Sequence, residues 1–225
     1  MMYTKRIVCL ANSRKTSGRC LAGKEINANQ FGAWVRPVSD RPTRELSEED
    51  RRYKNGQDPK LLDIIRVPLT MPEPHSFQTE NHLIDDNYYW VKEGTASVSD
   101  LRTALDPNVA PLWNDTSSSY NGEHDRVSEE VAATLGYSLK LIQVQDLTVE
   151  VNVEGAEFGN GKRKVRGRFS LGTTSYKLAI TDPNIERQYL AGPEGIFNIG
   201  NAILCISLGE PYGGFAYKLI AAVII

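Results

Sequence analysis

Lys164, Arg166 and Arg168 stand two apart in the run Lys162-Arg-Lys-Val-Arg-Gly-Arg-Phe-Ser-Leu171. In an extended chain alternate side chains share a face, so the three form one positive stripe. Val165 and Phe169 point the other way, with Gly167 between them. Like charges in a row repel, and such a stripe needs anions: the phosphates of a nucleic acid, or carboxylates from elsewhere in the chain. A second set lies near the N-terminus, where Asn12 to Arg19 reads as a loop offering Arg14, Lys15 and Arg19, and the following strands add Lys24, Trp34 and Arg36. Trp34 and Arg36 also differ by two. A ring beside a guanidinium suits a base stacked next to its phosphate. The other reading puts Trp34 in the core and Arg36 in a salt bridge, because a buried guanidinium requires a partner.

Few other residues carry chemistry. Cys20, beside Arg19 and near Lys24, is the cysteine whose surroundings favour a thiolate, although no histidine lies close in sequence. Cys9 and Cys205 sit in apolar runs and read as small buried hydrophobes. Three cysteines with no C-x-x-C spacing argue against a disulfide framework and against a cysteine zinc site. His124-Asp125-Arg126 follows the turn-rich Ser117-Ser-Ser-Tyr-Asn-Gly122. It offers acid–base or nucleotide-contacting groups, or simply a loop end with Asp125 capping and Arg126 tying the loop down. An alternative small-molecule pocket would draw on Arg14, Arg19, Cys20, Arg36, Asp125 and Arg126. His75 and His82 complete no metal set, so neither metal nor cofactor is expected. There is no P-loop, no G-x-S-x-G elbow, no H-E-x-x-H and no G-x-G-x-x-G after a strand. No catalytic residue can be named, and the residues favour a binding module over an enzyme.

The elements that would position these groups are clearest in the second half. Leu147–Val153, Lys164–Leu171 and Ser175–Thr181 alternate apolar and polar residues as half-buried strands do. Asn160-Gly161 and Gly172-Thr173 supply the turns. Asp182-Pro183 stops the third strand, a short helix follows over Ile185–Leu190, and two more strands run over Ala202–Ser207 and Phe215–Ile225. Three strands, a helix and two strands is the element order of the OB-fold barrel. In the first half, strands are expected at Arg6–Ala11, Arg19–Glu25, Ala33–Val38, Leu61–Val67 and Tyr88–Lys92. Ser97, with Asp100 three residues on, starts a helix that runs to about Leu105. Ser138–Val144 would return as the closing strand, and Arg41–Pro59 and Pro72–Asn87 read as inserted loops. The expectation is a mainly β chain with short helices, built as two tandem OB-fold-like five-stranded barrels packed together. Residues 1–144 would form the first and 145–225 the second. Ile7-Val-Cys-Leu…Gly18…Lys24 echoes Ile203-Leu-Cys-Ile…Gly214…Lys218, a weak sign of duplication.

The totals set bounds. The chain has 225 residues with 40% hydrophobic residues, enough for a sizeable core, and a formal net charge of -2. That charge is uneven. Residues 1–45 hold nine cations against three anions, residues 78–135 three against eleven, and residues 162–177 six cations and no anion. Two basic stretches around an acidic middle suit a local anion-binding face rather than a uniformly basic coat. No apolar run approaches a membrane span and no signal peptide opens the chain, so a cytoplasmic protein without membrane partners is expected.

Several stretches together resemble the bacterial dual OB domain (DuOB) family over essentially the whole chain. They are Arg6-Ile-Val-Cys-Leu-Ala-Asn-Ser-Arg-Lys15, Gly18-Arg-Cys20, Trp34-Val-Arg-Pro-Val-Ser39, Pro59-Lys-Leu-Leu-Asp-Ile64, His124-Asp-Arg-Val127, Leu178-Ala-Ile-Thr-Asp-Pro183, Ser207-Leu-Gly-Glu-Pro211 and Tyr217-Lys-Leu-Ile-Ala-Ala-Val223. The resemblance implies two OB-folds in tandem, a nucleic-acid-binding role, and a genomic setting beside mobile-element or phage-defence genes. It carries no catalytic residues over. The expected partner is single-stranded or structured DNA or RNA, held by Arg14, Lys15, Arg19, Lys24, Trp34, Arg36, Lys164, Arg166 and Arg168. Two other readings stand beside it: an enzyme or sensor acting on a nucleotide or base-like small molecule, and a protein-interaction module of a larger complex.

Overall fold

Strand β1 (Tyr3–Lys15) buries Ile7 through Ala11 in succession, where the sequence offers an unbroken apolar run flanked by polar residues. It opens a meander with β2 (Gly18–Asn27) and β3 (Gln30–Val38) in the computed structural model, which describes residues 2–15, 17–28, 30–107 and 110–225. A short helix, α1 (Glu48–Arg51), follows. Its start is fixed by Ser47 and Asp50, each of whose side chains accepts from the other's backbone N–H. Strand β4 (Asp63–Pro72) pairs antiparallel with β1, and β5 (Asn81–Ile84) lies between β3 and β4, parallel to the first and antiparallel to the second. The circuit β1-β2-β3-β5-β4 therefore closes on itself, around a core that includes Ile7, Cys9, Leu21, Val35, Ile65, Leu69 and Trp90. Strand β6 (Val91–Thr95) adds to the far edge of β4.

The second half repeats the circuit. After β7 (Arg126–Ser128) and α2 (Glu129–Ala132), the strands β8 (Leu139–Glu154), β9 (Lys162–Leu171) and β10 (Thr174–Ile180) form the meander. Helix α3 (Pro183–Leu190) has Asp182 as its cap, accepting from the backbone of Asn184 and Ile185, with Pro183 in the first turn. Strand β11 (Gly195–Leu208) pairs with β8, and β12 (Phe215–Ile224) joins β11 antiparallel and β10 parallel. At Gly167 the strands approach closely: a Cβ there would lie 2.4 Å from Ile220 Cδ1. Each half thus has five strands in the OB order, with a helix between the third and the fourth. Two OB-like barrels are what the sequence implied.

Several boundaries differ from the expectation. The strand that closes the first barrel is β5, inside the stretch Pro72–Asn87 read as an inserted loop, and α1 lies inside the other such loop. Ser138 to Val144 does not close the first barrel, because Leu139 opens the first strand of the second. The chain divides into Met1–Leu105 with Gly136–Ser138, and Asp106–Leu135 with Leu139–Ile225, so the boundary expected at 144/145 falls within β8. The strand expected at Tyr88–Lys92 is β6, three residues later. Ser97 does cap a helix with Asp100, but the turn Val98–Thr103 is 3-10 rather than α. The echo between residues 7–24 and 203–218 pairs the first two strands of one barrel with the last two of the other, so it does not reflect duplication.

Candidate nucleic-acid interface

The cationic stripe forms as its spacing dictates, on the outer face of β9, with Val165, Gly167, Phe169 and Leu171 buried behind it. Its arginines are already engaged. Arg166 grips Glu154 through two nitrogens, at 2.5 and 2.9 Å, and its guanidinium lies 3.7 Å from Asp125. Arg168 pairs with Glu123 at 2.8 Å, and on the neighbouring strand Lys177 pairs with Glu150 at 2.7 Å. The residues Ser117 to Arg126 supply Glu123 and Asp125, and this segment lies along the edge of β10. Glu123 forms a backbone bridge with Lys177, and His124 Nδ1 lies 2.8 Å from the Ser175 carbonyl. The anions that the stripe requires therefore come from the chain itself, Glu123 and Asp125 from its acidic middle and Glu154 from β8. Arg166 and Arg168 are engaged in ion pairs within the fold, so a phosphate at either would compete with Glu154 or Glu123. Only the N-terminal end of the stripe differs: Lys162 and Lys164 are exposed, and neither is paired with a carboxylate among the described residues.

The first barrel shows the same division. The segment Asn12 to Arg19 is not a loop, because β1 runs to Lys15 and β2 starts at Gly18, and Thr16 lies outside the described residues. Arg14 stands directly across from Arg19 on this hairpin, and Arg14 is exposed. The hairpin is pinned to the following loop: Arg19 and Leu46 exchange backbone hydrogen bonds of 2.9 Å, and Ser17 donates to Glu45 at 3.1 Å. Hydrogen bonding from Thr43, then Ser17 and the Lys15 charge, holds the Glu45 carboxyl below the usual range against its own burial. Lys24, by contrast, is buried and donates to the Ala104 carbonyl at 2.7 Å, with its ammonium 5.3 Å from the Trp34 ring centre. Arg36 is 3% exposed. It pairs with Glu80 at 3.2 Å and donates to Ser138 at 2.8 Å, while Ser138 donates to Glu80. Lys24 and Arg36 thus hold the fold together and cannot reach a phosphate. Trp34, half-buried under Lys24, is no open stacking platform. The salt-bridge reading of Arg36 is the one observed.

The six residues of the alternative small-molecule pocket divide between the units: Arg14, Arg19, Cys20 and Arg36 in the first, Asp125 and Arg126 in the second. Asp125 is buried, and both its oxygens accept from Ser119, at 2.7 and 2.5 Å. Arg126 lies with its guanidinium carbon 3.8 Å from the Phe215 ring centre. Both tie their segment down, as the loop-end reading has it. A recess of about 260 Å³ in the first unit is lined instead by Ser39, Arg41, Asp50, Thr70, Asp85 and Asn87 among others, with Arg41 already bound to Asp50. Among the described residues no group of three or more His, Cys, Asp or Glu is placed to hold a metal ion.

Three residues stand out that sequence reasoning missed. Lys218, on the interior-facing side of β12 and 1% exposed, donates to the carbonyls of Asp115 at 2.6 Å and His124 at 2.9 Å. It staples the acidic segment to the barrel. Phe158, in the turn between β8 and β9, and Tyr120, in the acidic segment, are 72% and 79% exposed and touch edge to face at 6.1 Å. A signal for both was present, since each aromatic stands among turn-forming residues, Ser-Tyr-Asn-Gly and Glu-Phe-Gly-Asn-Gly, where no strand could bury it.

The barrels and the hairpins at their mouths agree with the comparison to known families: the dual OB-containing domain matches residues 5–223. The chain belongs to that family. No curated protein and no solved structure matches it. As a dual OB chain it has, in each barrel, a first hairpin of the kind through which OB-folds meet their ligands. Both hairpins end in cations, Arg14, Lys15 and Arg19 in one and Lys162 and Lys164 in the other. Among the described residues, no helix is long and apolar enough to cross a membrane.

Proposed function

We propose that the chain is a cytoplasmic nucleic-acid-binding module that takes single-stranded or structured DNA or RNA. The observation that carries this reading is the placement of cations at the first hairpin of both barrels, the position OB-folds use for oligonucleotides. An overall charge of -2 is no obstacle, because phosphate contacts act within a Debye length of about 8–10 Å. Cys9, Cys20 and Cys205 form no disulfide, which suits a reducing compartment. Fluorescence anisotropy with labelled single-stranded and duplex DNA and RNA tests the reading. Binding at low salt should weaken as salt rises, and Lys162→Glu with Lys164→Glu should lower affinity by about tenfold or more. No measurable binding to any of the four at low salt rules the reading out.

A further inference from the structure

The outer face of β9 changes character along its length. From Arg166 onward it is covered by the chain's own carboxylates, Glu123 on Arg168 and Asp125 with Glu154 on Arg166. Toward the turn it carries Lys162 and Lys164, and the turn itself carries the exposed ring of Phe158, which lies against that of Tyr120. A chain of contacts joins these two ends. Glu154, across from Lys162, reaches Arg166; Arg166 reaches Asp125; and Asp125 holds Ser119, the neighbour of Tyr120.

The aromatic turn is also held in shape. Phe158 and Asn160 both donate their backbone N–H to the Gly155 carbonyl at 3.1 Å, and Gly159 donates to Ala156 at 3.0 Å. Gly155 has φ of 80°, and a Cβ there would lie 2.4 Å from Asn160 Oδ1, so the turn requires glycine. A preordered ring in water bears an unfavourable apolar exposure that a stacked base would remove. The edge contact with Tyr120 leaves each ring a face for that purpose.

We propose that Tyr120, Phe158, Lys162 and Lys164 form a subsite of the second barrel for unpaired bases and the phosphates next to them. The acidic segment ends that subsite. A strand leaving Lys164 along β9 meets Glu123 and Asp125 where its next phosphates would lie, so the footprint is short. Paired bases present no free faces to the rings, and the ligand is therefore single-stranded, a loop or a strand end. This inference rests on the nucleic-acid-binding reading.

The test measures affinities of the full chain for single-stranded oligonucleotides of increasing length and for a duplex, at low salt. Wild type is compared with Phe158→Ala, Tyr120→Ala and Phe158→Trp. Both rings are exposed, so melting temperature should be unchanged, which confirms that the variants fold. Loss of one stacking ring should weaken single-strand binding by about 5- to 150-fold, the equivalent of roughly 1–3 kcal/mol per stacked base. Phe158→Trp should keep the affinity. The fold-loss should reach its full value by about four nucleotides, the short end for one OB barrel. If wild type binds no nucleic acid, the functional reading itself fails. If wild type binds but the alanine variants match it, or lose duplex binding equally, or lose more with every added nucleotide, the subsite is wrong and the reading survives.

Discussion

Lys218 shows how much a single side chain can decide. Its ammonium is enclosed beside the Tyr176 ring and two carbonyls. Burial pushes it down from 10.5 to about 8, with the Asp115 and Asp125 carboxylates pulling part of the way back. Between about pH 8 and 10.5 the unfolded chain keeps this proton and the folded chain has released it. Stability from this group therefore rises through that window, and the cost of the buried charge is fully present below it. A shift of this size is worth about 3 kcal/mol. In urea titrations the advantage of wild type over Lys218→Met should grow by about that amount across the window. A difference that does not change with pH would mean that the folded chain holds the proton as an exposed lysine does. Arg36 makes a second case. Glu80→Ala leaves the buried guanidinium without its carboxylate and should cost about 3–5 kcal/mol, read from the same titrations. Stability kept to within about 1 kcal/mol would mean that solvent reaches Arg36 and relieves the unpaired charge.

At the scale of elements, the approach of β9 to β12 is tuned by Gly167 and Ile220. Gly167→Ala should destabilise by about 1–3 kcal/mol through overpacking. Ile220→Val removes the methyl that the new Cβ would strike, so the double variant should lose clearly less than the sum of the singles. Strict additivity would mean that the strands part instead of the side chain being compressed. The second barrel was legible in the sequence because its strands alternate regularly: Val165, Phe169 and Leu171 inward, Lys164, Arg166 and Arg168 outward. The closure of the first was not. Strand β5 has four residues with the two middle ones half-buried, and its parallel partner β3 lies far back along the chain. Local periodicity cannot report a pairing that is set by barrel closure. The stripe shows the same limit from the other side. Its geometry followed from spacing, but whether its anions were phosphates or carboxylates depended on Glu154 of the neighbouring strand and on where the distant segment bearing Glu123 and Asp125 folds back.

For the molecule as a whole, those internal pairs fix how steeply binding can depend on salt. Of the cations that the sequence offers, Lys24, Arg36, Arg166 and Arg168 are committed within the fold. Arg14, Lys15 and Arg19 stand at one hairpin, Lys162 and Lys164 at the other. Single strands release about 0.7 counterions per neutralised phosphate, so five contacts give a log–log slope near -3.5, against about -6 if all nine engaged phosphates. Anisotropy titrations over a range of salt concentrations should therefore give a slope no steeper than about -3.5. A slope of about -5, the value for seven contacts, would mean that Arg166 and Arg168 leave Glu154 and Glu123 for the phosphates. The acidic segment would then be a competitor displaced on binding, and the ligand would run the full length of β9 rather than stopping at Lys164.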